Sequence, residues 1–314
     1  MPEQRSYDAV IIGAGPAGLT AAIYTGRALL STLVIEKGLP GGQLNETDLI
    51  ENWPGFEEAV AAPELMQKLR RQAERFGATI LQDEVVRIDP GEGTHRVVTA
   101  HGSYEARAVI LSPGSRPREL PAEGANRLKG KGVSYCATCD GFFFQGKRII
   151  EVGAGDSGLT EAIFLTRFAE SVKIVVRHPK DDPKAFRAAP ILQKRARENP
   201  KIEFYWNRVV VEVLGEERVT GVRLRNLETG ETETIEIDGV FVNIGHVPQT
   251  DFLKGTVDLD ENGYIVTDNR LRTSVPGIFA AGDARIDANR YAQGVIAAGE
   301  GAIAGIEAEK HLSG

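Results

Sequence analysis

Two short apolar runs, DAVII at 8–12 and RIIEV at 148–152, each lead straight into a glycine-rich loop and then into a stretch with helical spacing. The loops read GAGPAGLTAAIY at 13–24 and GAGDSGLTEAIF at 153–164, an offset of 140 residues with eight of twelve positions identical. After the second loop, Leu159, Ala162, Ile163 and Thr166 recur at one-turn spacing, which predicts a helix with one apolar face. Each unit therefore reads as strand, tight loop and helix, the arrangement that binds a dinucleotide. One glycine makes the turn, one lets the backbone approach a pyrophosphate, and one lets helix and strand pack closely. The helix N-terminus then offers free N–H groups and a positive dipole end to the phosphates.

The remaining pattern fills in around these units. Residues 63–77 read as an amphipathic helix, 79–111 as short strands with a turn at DPGEG (89–93), and 202–241 as strands with turns at LGEE and LETGE. GIFAAGD at 277–283 is an apolar strand ending in Gly282–Asp283, and 294–312 reads as a final helix. No low-complexity linker separates the two glycine units. The expected fold class is α/β, with two Rossmann-like three-layer dinucleotide-binding domains, the second inserted into the first.

Composition narrows the function. A chain of 314 residues suggests about two domains, and 42% hydrophobic with 26% charged residues is ordinary for a globular protein. The net charge of −7 comes without a basic stripe, so no nucleic-acid partner is expected. No apolar run nears the ~18 residues of a membrane span, and MPEQRSYDAVIIGAG shows no secretory signal, so a cytoplasmic protein is expected.

The only two cysteines are Cys136 and Cys139, spaced C-x-x-C. The next histidine, His178, follows 39 residues after Cys139 with no H-x₃₋₅-H pair, so no metal site is expected. The spacing favours a dithiol/disulfide redox pair over two small core residues adjacent by chance. Glu36 lies 23 residues after Gly13, where an acid accepts hydrogen bonds from ribose hydroxyls, as FAD or NAD would offer. The same offset in the second unit lands on Val176, followed by Arg177 and His178. Glu151 sits in the strand feeding the second loop, where the first unit has Ile11, and a carboxylate buried there needs a partner or a raised pKa.

Seven motifs in order, GAGPAG (13–18), YTGRA (24–28), GGQL (41–44), ENWPGF (51–56), CATCDGFFF (136–144), IGHVPQT (244–250) and GIFAAGD (277–283), make the chain resemble a low-molecular-weight thioredoxin reductase over its whole length. The resemblance implies an FAD domain at 1–117 and 248–314, and an NAD(P)-type domain at 118–247 that carries the redox disulfide. It implies FAD contacts from Gly13, Gly15, Pro16, Ala17, Gly18, Glu36, Gly42, Gln43, Leu44, Asn52, Gly114, Gly282, Asp283 and Gln293. It makes Cys139 the flavin-facing thiol, Cys136 the thiol that attacks a thioredoxin disulfide, and Asp140 the acid/base residue. A second nucleotide would lie on Gly153, Gly155, Asp156, Ser157 and Gly158, with Arg177 and Arg187 beside it. A homodimer is likewise implied by the resemblance alone.

The departures from the family pattern bear on the electron donor. NADPH-using members carry H-R-R-x-x-x-R after the second strand, where this chain has Val176-Arg177-His178, then PKDDPKAF, then Arg187. Asp181 and Asp182 add negative charge there, and loss of a bidentate arginine site is not conservative. The family's A-T-G is Ser112-Pro113-Gly114, and its R-Q-A reads Arg290-Tyr291-Ala292-Gln293. The leading expectation is an FAD enzyme reducing a thioredoxin-like disulfide with electrons from a donor other than NADPH, such as a ferredoxin docking on Lys129, Lys131, Lys194 and Arg195. The alternatives are an NADPH-dependent thioredoxin reductase with a modified 2′-phosphate site, a dithiol oxidase, and a non-enzymatic flavin redox sensor.

Overall fold

The computed structural model describes residues 5–47, 49–182, 184–186, 188–287 and 291–314. The chain divides into two compact units, Met1–Arg116 with Val247–Gly314, and Pro117–His246. Both divisions fall one residue before the boundaries expected from sequence. Each unit is a Rossmann-like α/β domain.

In the first unit, the strands Thr79–Gln82, Thr32–Glu36, Ser6–Ile12 and Ser103–Leu111 lie side by side in that order, all parallel. The long strand Ser103–Leu111 has two neighbours on its far edge. His95–Thr99 pairs antiparallel along its first half, and Ile278–Ala280 pairs parallel along its last residues. Because side chains alternate along a strand, Ile11, Val34, Ile110 and Phe279 fall on one face, and Val10, Ile12, Leu33, Ile35, Val109 and Leu111 on the other. Both faces are buried, which explains why these strands read as continuous apolar runs rather than alternating ones.

The helices Pro16–Arg27 and Gly294–Ser313 cover the first face. They meet through small residues. A Cβ on Gly301 would collide with the Ala17 carbonyl, and one on Gly305 would press on Tyr24 and Ala21.

The second unit is built on a five-stranded parallel sheet, ordered Val133–Ser134, Gly239–Val242, Arg148–Val152, Ser171–Val176 and Ile202–Trp206. One face packs Ile149, Ile174 and Phe241 against Leu159, Ala162 and Leu165 of the helix Asp156–Leu165. The other packs Ile150, Val152, Val175 and Val240 against the antiparallel strands Arg208–Leu214, Gly221–Asn226 and Thr232–Glu236. The result is three layers of helix, parallel sheet and antiparallel sheet. Among the described residues no helix is long and apolar enough to cross a membrane, and no three acidic, histidine or cysteine side chains gather as a metal site.

Candidate active site

Both glycine loops adopt the same strained turn. Gly13 has φ +97° and Gly153 has φ +123°, a region that side-chain-bearing residues rarely enter. Each also lies against backbone where no Cβ fits. A Cβ on Gly13 would strike the Ser112 carbonyl, and one on Gly153 the Asn243 carbonyl. The last glycine of each loop, Gly18 or Gly158, then packs on the carbonyl of the first. The middle glycine has room. Gly15 meets only the Cα of Gly42, and Gly155 meets nothing within 4 Å. An open middle glycine at the start of a helix is the surface a pyrophosphate needs.

In the first unit Glu36 and Gly42 lie against this loop, and Gly282 lies against Ala17 of the helix after it. Glu36 ends its strand with its Oε2 accepting from Ala14 N–H at 2.7 Å and its Oε1 accepting from Gly38 N–H at 2.8 Å. Each oxygen keeps lone-pair capacity for a ribose hydroxyl. Pro16 and Ala17 open the helix after the loop. Gln43, in the short helix Gly42–Glu46, donates from Nε2 to the Ser115 carbonyl at 2.9 Å and to Ser115 Oγ at 2.8 Å. Leu44 packs beside Trp53. Asn52 and Gln293 come together across 241 residues of chain, Asn52 Nδ2 donating to Gln293 Oε1 at 2.9 Å. Gly114 turns with φ +69° and its carbonyl accepts from Gln249 N–H at 3.0 Å.

Gly282 and Asp283 follow the strand Ile278–Ala280. Burial, and then the nearby Glu300 carboxylate, push the Asp283 carboxyl up to about 6. Glu300 itself accepts from Gly282 N–H at 2.8 Å and is ion-paired with Arg285. Sequence reasoning missed this Glu300–Arg285 support. Its signal was a lone acid in the apolar helical stretch VIAAGEGAIAG.

In the second unit, Cys136 and Cys139 form a disulfide with Cα atoms 5.4 Å apart. Cys136 caps the single-turn helix Ala137–Asp140, so Asp140 closes the turn that holds both sulfurs. Cys136 Sγ accepts from Cys139 N–H at 3.2 Å and lies 3.4 Å from Thr138 Oγ1. Next along the chain, Phe142 and Phe143 are 67% and 75% exposed, with their rings edge to face. Burial normally claims residues of this size, and the sequence reading passed over them.

The second loop differs in its supports. Glu151 is fully buried. Its Oε1 accepts from Asn243 Nδ2 at 3.0 Å, the same nitrogen reaches Glu161 Oε2 at 2.9 Å, and Glu151 Oε2 has no partner. Burial, reinforced by the Glu161 carboxylate, holds the Glu151 carboxyl well above the usual range. Burial at this position thus favours the uncharged form of the acid. Asp156 accepts Ala189 N–H at 2.8 Å. Arg177 and His178 stand at the strand end, His178 bonded to Asp182. Arg187 and Arg290 lie outside the described residues.

The fold and this geometry agree with the comparisons. The model of the pyridine nucleotide-disulphide oxidoreductase family matches residues 7–301. A thioredoxin reductase of Listeria innocua is 44% identical over 311 residues, 99% of this chain and 95% of that protein. A bifunctional thioredoxin reductase/thioredoxin of Mycobacterium leprae is 47% identical over 309 residues, 98% of this chain and 66% of that protein. The crystal structure of the Lactococcus lactis thioredoxin reductase superposes with a TM-score of 0.94 at 39% identity, covering 98% of this chain and 99% of that one. The chain belongs to the pyridine nucleotide-disulphide oxidoreductase family, among its low-molecular-weight thioredoxin reductases, and is a flavin-dependent disulfide oxidoreductase.

Proposed function

We propose that the protein reduces the disulfide of a thioredoxin or thioredoxin-like protein, with FAD held by the first glycine unit. The carrying observation is the Cys136–Cys139 disulfide, closed within one turn that ends in Asp140 and flanked by exposed Phe142 and Phe143. FAD suits the first unit because Gly15 is open, Glu36 retains acceptor capacity beside the loop, and Asp283 is a half-buried acid that ribityl hydroxyls would satisfy. Bound flavin would supply the two electrons that open the disulfide.

The thiol steps then follow from the chain's own groups. The Cys136 thiolate attacks one sulfur of the partner's disulfide, forming a mixed disulfide and releasing the other partner sulfur as a thiolate, which takes a proton. The Cys139 thiolate attacks Cys136 Sγ, reforming the internal disulfide and releasing the second partner thiolate. The Cys139 N–H aimed at Cys136 Sγ favours negative charge on Cys136, which supports its assignment as the attacking thiol. Asp140, which closes the same turn, would pass protons to the leaving sulfurs. Phe142 and Phe143 offer the apolar surface on which the partner docks.

For the donor we assign a nicotinamide dinucleotide on the second glycine unit. The family match runs through that unit, and its loop keeps the open middle glycine. The expectation of a donor other than NADPH is not supported by the thioredoxin reductases at 44–46% identity, whereas a ferredoxin-flavin thioredoxin reductase of Clostridium acetobutylicum is 28% identical with a TM-score of 0.52. The basic surface expected for a ferredoxin is partly spent, since Lys129 pairs with Glu119 at 3.7 Å and Lys194 with Glu198 at 4.0 Å. A second reading, a donor other than NADPH, draws on one observation: Arg177 is the single described arginine at the end of the strand Ser171–Val176.

Anaerobic mixing of the holoprotein with NADPH, and separately NADH, decides between them. Bleaching of the flavin band, followed by reoxidation on adding oxidised thioredoxin, is expected. Bleaching by dithionite alone would overturn the nicotinamide reading, and fast reoxidation by oxygen after dithiol reduction would point to an oxidase.

A further inference from the structure

The loop after the strand Ser171–Val176 carries a chain of side-chain contacts outside the family's arginine pattern. Asp182 Oδ2 lies 3.0 Å from His178 Nδ1, and Arg177 Nε lies 3.3 Å from His178 Nε2. The protons in this chain are fixed by chemistry. An ionised carboxylate only accepts, so the Nδ1 facing Asp182 carries the ring proton. Arg177 only donates, so His178 Nε2 must be the acceptor and the ring is neutral. Asp182 is itself anchored. Its Oδ1 accepts Lys184 N–H at 2.8 Å, its own N–H bonds the Pro179 carbonyl at 3.1 Å, and its carbonyl takes Ala185 N–H at 2.8 Å. The Lys184 N–H, with His178 behind it, holds the Asp182 carboxyl below the usual range, so it stays charged. From the other side, the His178 carbonyl accepts Asn207 N–H at 3.0 Å. The imidazole is thus held by the loop at one end and hands its lone pair to Arg177 at the other.

We propose that the Asp182–His178–Arg177 chain sets the nucleotide preference of the second unit, and that it makes this site accept NADP(H) and NAD(H) almost equally. The inference rests on the reading that this unit binds a nicotinamide dinucleotide. Arg177 is exposed and spends only its Nε–H on His178, so its two terminal nitrogens remain as an outward fork. That fork bonds two oxygens of a 2′-phosphate or one oxygen of a free 2′-hydroxyl. Strict NADP(H) selection takes a cluster of cations, and here the residue after Arg177 is a neutral ring backed by the Asp182 charge, with Asp181 exposed beside it. Strict NAD(H) selection takes an acid at the strand end, and that position is the buried Val176. Among the described residues the strand end carries neither device. His178 acts as a positioning residue, aiming Arg177, the described arginine that serves both ligands.

The test is calorimetric binding of NADP⁺ and of NAD⁺ to the oxidised holoprotein, which does not depend on electron transfer. Wild-type dissociation constants within about tenfold of each other are expected. His178→Arg adds a second cation and should tighten NADP⁺ at least about tenfold while leaving NAD⁺ nearly unchanged. His178→Ala frees Arg177 and should weaken NADP⁺ about fivefold or more. His178→Gln, whose amide can both donate to Asp182 and accept from Arg177, should restore wild-type values. A wild-type preference above tenfold for either nucleotide, equal shifts for both ligands in His178→Arg, or wild-type binding in His178→Ala would each overturn the proposal, as would binding of neither nucleotide. Comparable binding of both without flavin bleaching would overturn the donor reading and leave this one standing.

Discussion

The two glycine units are the same turn solved twice in one chain, and they part company only in what stands around the turn. Both press the first glycine onto the carbonyl that follows a distant parallel strand, Ser112 in one and Asn243 in the other. At the second strand's end the first unit places Glu36, which ties itself to the loop through Ala14 N–H. The second unit has Val176 in the core, followed by an exposed Arg177 that contacts His178, itself bonded to Asp182. In the strand before the loop, the first unit has Ile11 packed in an apolar face, while the second has Glu151. The turn is a backbone requirement and leaves almost no freedom. The supports answer to the ligand and to packing, and they have diverged.

The sharpest way to separate the units is to break each turn in the same manner. Gly13→Ala and Gly153→Ala both force a Cβ into a backbone carbonyl at a positive φ, a loss expected to reach several kcal/mol locally. Gly13→Ala should purify without its yellow flavin. Gly153→Ala should keep the flavin spectrum and lose nucleotide binding by about a hundredfold or more, measured by the same calorimetry. Flavin loss in both variants would mean that the units do not bind separate ligands.

A smaller contrast concerns Ile11 and Glu151. Because the folded-state pKa of Glu151 is raised, the native state holds a proton that the unfolded chain releases above about 4.5. The stability this proton confers is present at acid pH and declines as pH rises above that value. Amide exchange of residues 148–152 should therefore accelerate with pH beyond its intrinsic dependence. Glu151→Ile, which installs the first unit's residue, should flatten that excess and stabilise the segment by about 1–3 kcal/mol. An unchanged pH slope in the variant would show that Glu151 is not the group responsible.

What the sequence made legible follows the same division. The paired loops could be read because their strain is written in consecutive residues, and writing it twice at a fixed offset removed chance as an explanation. The Cys136–Cys139 pair was legible for the same reason, since one turn holds both sulfurs. Supports that join distant parts of the chain left no local mark. Nothing near Glu151 announces Asn243, 92 residues away. The Asp182–His178 contact depends on how a lengthened loop folds back on itself, so an expanded spacing read only as the loss of a motif. Phe142 and Phe143 look like core residues by type, and only the fold shows them exposed. The expectation of a donor other than NADPH came from that lost motif, and the thioredoxin reductases at 44–46% identity do not support it.

Asp283, a half-buried acid of the first unit, supplies the smallest effect. With a folded-state value of about 6 against 3.8 unfolded, the flavin-free protein binds an extra proton between those limits. Its stability should fall as pH rises from about 4 to about 6, by about 1–2 kcal/mol, and level off above that. Asp283→Asn should remove the decline in the apoprotein, read as the urea midpoint for the first unit's flavin-site region across that window. In the holoprotein the wild-type decline should shrink, since hydroxyl donors favour the carboxylate. Asp283→Asn should then cost flavin affinity that the apoprotein's gain in stability does not offset. An apoprotein whose midpoint is flat with pH, with and without the substitution, would mean that water reaches Asp283 freely and that the flavin's hydroxyls are not what this acid awaits.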